Sequence, residues 1–190
     1  MRFFLEKKTT LFYTFTVFVL VSILAIYYYN TLDVKYSNDL VSHTQDVIAK
    51  SNTVLMDVID IETGTRGFVI TGEETYLQPY NIAINKTALD LENLKNLSND
   101  NKLQLLRIQS LEKMVVQRLA LANNFIEKKR IEALNQEQIL NELRKGKYVT
   151  DSIRSIVKSI NIEESRLLKQ RKIINGNTSE NSNILLSLIF

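Results

Sequence analysis

The sequence predicts an all-α protein, an up-down-up-down four-helix bundle with a membrane-spanning helix at its N-terminus and the start of a second at its C-terminus. Three observations predict it. Apolar residues recur at three- and four-residue intervals along most of the chain, often in seven-residue repeats. Only five glycines and one proline interrupt 190 residues, too few turn-formers for a sheet protein. Leu11 to Tyr29 is an uncharged run of 19 residues, close to the roughly 20 needed to cross the hydrocarbon core as a helix.

A cleaved leader is the competing reading of that run. A leader's apolar region measures about 7–15 residues and ends in a small-residue cleavage site. Here the run is longer and ends in Tyr27-Tyr28-Tyr29, which suits an interfacial aromatic belt. Arg2, Lys7 and Lys8 precede it, whereas Asp33, Lys35 and Asp39 follow with no positive excess. The positive-inside rule then makes residues 1–10 cytoplasmic, 11–29 the span and 30–182 an extracytoplasmic helical domain. Residues 183–190, apolar from Ile184, are read as the start of a second span, with a short apolar tail as the alternative.

The first helix of the domain is expected from about Asp33 to Ile70. Val41, Ile48, Leu55 and Val69 form its seam, with Leu40, Val47, Val54, Ile61 and Phe68 beside them. Thr71-Gly72-Glu73-Glu74 reads as a turn. The second helix is expected over Thr75 to Leu97, with Leu77, Tyr80, Ile84, Leu91 and Leu94 inward and Pro79 in its first turn, where a missing N–H costs least. Ser98-Asn99-Asp100-Asn101 is a polar break. The third helix starts near Lys102, with Ile108, Leu111, Val115, Leu119, Ala122 and Ile126 inward. Residues 130–145 are polar without being helix-breaking, so Gly146 is taken as the next turn. The fourth helix then begins near Tyr148, with Ile153, Ile160, Leu167 and Ile174 in register. Outer helices of this kind, about 37 residues each, would be about 55 Å long.

Polar residues break the pattern in two places. Glu62 occupies the missing position of the first seam, and Arg66 stands one turn later at the spacing that lets the two meet. Gly64, Gly67 and Gly72 crowd the same stretch. A glycine inside a helix costs up to about 1 kcal/mol relative to alanine, so close helix approach is the expected compensation. On the fourth helix Glu163 follows Ile156 by seven, with Glu164 beside it and Arg171 and Lys172 beyond. Glu62, Arg66, Glu163 and Arg171 therefore form either an ion-pair network that fixes helix register or a ligand-facing polar site. Both readings stay open.

The run Glu62-Thr63-Gly64-Thr65-Arg66-Gly67-Phe68-Val69-Ile70-Thr71-Gly72, followed by Tyr76-Leu77-Gln78-Pro79-Tyr80, resembles the central motif of the third class of CHASE domain. The likeness extends to His43-Thr44, Asp100-Asn101, Leu111-Glu112, Gln117-Arg118-Leu119-Ala120 and Glu163 to Arg171, roughly residues 40 to 172. Lys102 stands where the family often has proline, and the stretch between the third and fourth helices is less family-like. The resemblance implies an extracellular helical sensor of histidine kinases, cyclases or chemoreceptors, flanked by two membrane helices. The ligands of this class are mostly undefined, so it supplies no binding residues.

Composition excludes several other functions. The net charge of +3 is small and evenly spread, without the basic stripe that nucleic acid requires. Zero cysteines remove disulfides and thiolate chemistry, and the single histidine, His43, cannot build a multi-histidine metal site. No cofactor, metal or catalytic residue is expected. The functional expectation is a signal-input module in the bacterial inner membrane, homodimeric, binding a small-molecule or protein ligand of unknown identity. It would pass a helix shift to a cytoplasmic output domain, foremost a histidine kinase. The alternative is an anchored adaptor bundle that binds another envelope protein without signalling.

Overall fold

The computed structural model describes the backbone of residues 2–132 and 134–187, and the side chains of 7–132 and 134–173. Four α-helices follow one another: α1 Arg2–Thr71, α2 Gln78–Leu97, α3 Lys102–Arg130 and α4 Gln136–Ser187, with a 3-10 turn over Glu74–Leu77 before α2. No strand occurs among the described residues. The chain divides into two compact units, Met1–Ser42 with Leu167–Phe190, and His43–Arg166.

In the first unit α1 carries a stretch long and apolar enough to cross a membrane, with none of that stretch buried. Leu11, Phe18, Leu24 and Tyr27 stand open. Its hydroxyls bond to the helix's own carbonyls: Thr14 and Thr16 donate to Thr10 and Phe12 at 3.1 and 2.9 Å, and Ser22 to Phe18 at 2.9 Å. Such closure is what a lipid-facing segment needs, since hydrocarbon offers polar groups no partner. The second span expected over 183–190, and the inward position of Ile174, lie outside the residues whose side chains are described.

The second unit is a four-helix bundle. Its core stripe on α1 is Thr44, Val47, Ser51, Val54, Val58, Ile61, Thr65 and Phe68, all buried and spaced alternately by three and four. This shifts the expected seam. Ile48 and Leu55 are only half-buried, while Val47, Val54 and Ile61 face the centre. Thr44, Ser51 and Thr65 complete the stripe, and their polarity hid it. Two apolar clusters fill the interior. One gathers Val54, Val58, Leu94, Leu111, Val115, Ile153 and Ile160; the other gathers Ile61, Phe68, Leu77, Tyr80, Ala122 and Ile126.

Helix ends follow local chemistry. Gly72 takes a φ of 78° past the end of α1, and its N–H reaches the Phe68 carbonyl at 2.7 Å; only glycine adopts that left-handed turn without strain. Pro79 lies in the first turn of α2. Asn101 caps α3, accepting from the N–H groups of Leu103 and Gln104 at 3.1 and 3.2 Å. Lys102 is thus the first helical residue, the position that tolerates the family's proline.

The start of α4 corrects the sequence expectation by a dozen residues. Gly146 is not a turn but a buried position inside the helix. Asn135 instead opens α4: its side chain accepts from the Gln138 N–H at 2.9 Å, and the Gln138 side chain accepts from the Asn135 N–H at 2.9 Å. This is a reciprocal capping box built from Asn and Gln.

Gly64 and Gly67 explain themselves sterically. A methyl on Gly64 would lie 3.0 Å from the Tyr76 carbonyl oxygen and from Tyr80 Cβ, and one on Gly67 would lie 2.5 Å from the Tyr76 ring. Backbone cannot retreat from such a contact. Gly64→Ala is expected to lower unfolding free energy by about 1–3 kcal/mol despite its better helix propensity, measured by thermal melting of the chain in detergent. A melting point equal to wild type would show that α1 and α2 have room to separate.

Candidate functional site

Buried polar or small residues interrupt the apolar series of every helix, and those of α1, α3 and α4 gather around one niche as a polar layer. On α1 the interruption is Glu62 and Thr65, on α2 Thr87, on α3 Arg118, on α4 Gly146 and Thr150; every one of these is buried. Thr65 and Thr87 satisfy their hydroxyls on their own helices, donating to Ile61 and Ala83 carbonyls at 2.6 Å each.

Glu62 is 8% exposed, and its Oε1 lies 2.7 Å from Arg66 Nη2, a contact made along the helix face. Arg118 crosses to α4, where its Nε donates to Thr150 Oγ1 at 3.2 Å. Burial pulls the Arg118 guanidinium below its ordinary range and the Glu62 charge opposes this, so Glu62 acts electrostatically on both arginines. Arg118 belongs to the inward series Gln104, Ile108, Leu111, Val115, Arg118, Ala122, Phe125. Its spacing was a readable signal; its charge masked it.

Glu163 does not enter the core. It pairs on the surface with Arg166, whose Nη2 and Nε lie 2.6 and 2.9 Å from its two oxygens, and the Arg166 hydrogen bond holds its carboxyl below the usual range. The buried carboxylate is its neighbour Glu164, 4% exposed. Glu164 accepts from Gln104 Nε2 at 2.8 Å, and the same amide donates to the Ile160 carbonyl at 3.2 Å. The reason is one of register: inward positions run Ile153, Val157, Ile160, Glu164, not through Ile156. Arg171 is half-buried and belongs to the first unit. Within the bundle, Ser51 donates to Asn161 Oδ1 at 2.7 Å, and Asn161 Nδ2 donates to Asn52 Oδ1 at 2.9 Å, tying α1 to α4.

Sequence reasoning missed a second polar group, between α1 and α2. Asp57 and Asp90 are each 4% exposed and lie within hydrogen-bonding reach of one another. Lys50 reaches Asp90 Oδ1 at 3.0 Å and Lys86 reaches Asp57 Oδ1 at 3.4 Å. Lys86 also approaches Asp90 Oδ2 at 3.3 Å, off the hydrogen-bonding direction, so Oδ2 of both aspartates is buried without a donor. Burial pushes the Asp57 carboxyl up, more than Lys86 lowers it. Burial also acts on Asp90, but hydrogen bonds from Lys50, Lys86 and Asp57 outweigh it and hold Asp90 low. A proton held by Asp57 turns two facing acceptors into a donor and an acceptor.

No group of three or more acidic, histidine or cysteine side chains able to hold a metal occurs among the described residues. A groove between α2 and α3, about 450 Å³, is floored by Leu91 and Val115 and rimmed by Glu92, Lys95 and Glu112.

Comparison with known proteins gives two findings. The CHASE3 domain family model matches residues 37–173. The crystal structure of the Rhodopseudomonas palustris histidine kinase HK9 sensor domain is similar, with a TM-score of 0.58 and 26% sequence identity, over 66% of this chain and 98% of that one. No curated protein sequence matches.

The aspartate pair has a testable pH signature. Asp57, raised in the folded state, contributes stability below the ordinary carboxylate range that is lost as pH rises through its folded pKa. Asp90, lowered, contributes stability above that range that is lost as pH falls. Asp57→Asn keeps a donor for Asp90 and removes the first dependence only. Melting points across a pH series are expected to fall on the rising side for wild type and stay flat there for Asp57→Asn. Superimposable profiles would rule out a shared proton.

Proposed function

Since the chain belongs to the CHASE3 domain family, a family of extracellular sensor domains, we propose that its bundle is the input module of a bacterial transmembrane receptor whose output domain is a cytoplasmic histidine kinase. That the chain carries a receptor's sensor domain follows from the family and from its likeness to a histidine kinase sensor domain. The kinase output, the inner-membrane location, a homodimeric assembly and signalling across the bilayer are the proposal's own additions.

The observation that carries it is the polar layer. Hydrogen bonds and ion pairs exchange partners over one helical turn, whereas apolar packing tolerates only small slides. Glu62 stands within the electrostatic reach of two arginines and bonds directly to one of them. A bound ligand or partner that favours a different arrangement would displace α1 against α4, and shifts of about 1–2 Å are typical of such transitions. Each of these two helices has residues in both units, so a shift begun in the bundle has a covalent route onward.

Replacing Glu62 tests the reading. In the complete receptor, Glu62→Gln is expected to change resting output about fivefold, the consequence of about 1 kcal/mol in the balance of two states. Unchanged resting output and response, in a variant that melts like wild type, would remove the polar layer from signalling. The adaptor alternative makes a separate claim about the gene beyond Phe190. A second span followed by a kinase supports the sensor reading; a stop codon directly after such a span supports the adaptor.

A further inference from the structure

Inside the polar layer, one cation makes no direct ion pair among the described residues. Arg118 is 4% exposed, and its only hydrogen bond among the described residues is the one its Nε gives to Thr150. Both terminal nitrogens, Nη1 and Nη2, are bare. A niche of about 10 Å³ lies beside them, lined by Glu62 and Arg66 of α1, Arg118 of α3, and Glu142, Gly146 and Lys147 of α4. That is room for about one water-sized guest.

The other ions around the niche are matched. Glu62 holds Arg66, Glu142 lies 3.3 Å from both Lys128 and Lys145, and Lys147 pairs with Asp151. The guanidinium alone makes no direct ion pair: Glu62 acts on it only through its field, and a buried charge matched so indirectly is costly. Arginine cannot escape by shedding its proton.

Gly146 is the second observation. A methyl there would lie 3.6 Å from Arg118 Cζ and Nη2 and 3.9 Å from Nη1, which is ordinary contact. Gly64 and Gly67 are forced by backbone and ring atoms at 3.0 Å or less; Gly146 is forced by nothing the helices do to each other. A glycine that gives up about 1 kcal/mol inside a helix without a packing reason leaves an unfilled space directly against the bare end of a buried cation.

We propose that this niche binds a monatomic anion of halide size, held by the Nη1–Nη2 fork of Arg118 with Arg66 closing the solvent side. The fork geometry of a guanidinium suits two-point contact with a carboxylate, and a monatomic anion fits between the same two N–H groups. Anion binding would neutralise Arg118 and weaken its claim on Glu62, leaving Glu62 to Arg66. The proposal rests on the sensor reading for its biological sense, although its measurement does not.

The test is thermal melting of the full chain in detergent, in sodium chloride, sodium formate or sodium gluconate at equal ionic strength. Chloride is expected to raise the midpoint by about 4 °C for each tenfold step above its dissociation constant, while formate and gluconate, both too large for the niche, do not. A response to chloride alone identifies the monatomic site; an equal response to formate would overturn it by placing the anion in a larger space. Arg118→Gln is expected to abolish the shift. Gly146→Ala, which fills the space yet keeps the charge and improves the helix, is expected to fold and to lose the shift as well. Equal midpoints in all three salts would mean that the niche holds only water, and a shift that survives in both variants would place the anion elsewhere. Either result overturns the anion proposal and leaves the Glu62→Gln receptor experiment, with its separate readout, to decide the sensor reading.

Discussion

A group taken out of water must find its hydrogen bonds inside the protein, and this constraint organises the whole bundle. Three of the eight residues in the core stripe on α1, Thr44, Ser51 and Thr65, are polar. Each polar member needs an acceptor or donor at a fixed height on its own or a facing helix. Ser51 finds Asn161, Gln104 finds Glu164 and the Ile160 carbonyl, Arg118 finds Thr150. Apolar layers resist large slides but name no partner; these pairings name one register. The same layer can also exchange a partner, because Glu62 stands within the reach of two arginines. Specificity and switchability come from the same residues.

Much of this was legible in the sequence. Helix number, the caps at Gly72 and Asn101, and the position of Pro79 follow from turn chemistry that acts over a few residues. The motif glycines signalled the tight α1–α2 junction because their cost in a helix demands a tertiary reason. What escaped, Glu62 aside, was what required treating a polar residue as a core residue. The seam was drawn through Ile48 and Leu55 because Thr44, Ser51 and Thr65 do not look inward-facing, and Glu163 was preferred to Glu164 by extending a heptad from Ile156. The beginning of α4 was missed because Asn135 and Gln138 make a capping box without serine or glutamate, and because Gly146 mimics a stop.

The aspartate pair was invisible for a different reason. Asp57 and Asp90 are far apart in sequence, on helices whose mutual rotation no periodicity defines. Only packing brings them to the same height, and only their joint burial gives them opposite tendencies to ionise. Charged groups of this kind are where one-dimensional patterns carry least information, because their environment is created by the fold itself.

Arg130 holds one end of the bundle in three ways. It grips Glu74 through two bonds of 3.0 Å, meets Glu127 at 3.0 Å, and lies 5.8 Å over the Phe68 ring. It thereby staples the hairpin of α1 and α2 to that of α3 and α4 beside Gly72. At the opposite end the corresponding bridge, His43 to Asp100, spans 3.9 Å. At that end the four-residue turn between α2 and α3 joins the two hairpins covalently, so Arg130 is the side-chain latch at the one tip where the backbone itself leaves them unlinked.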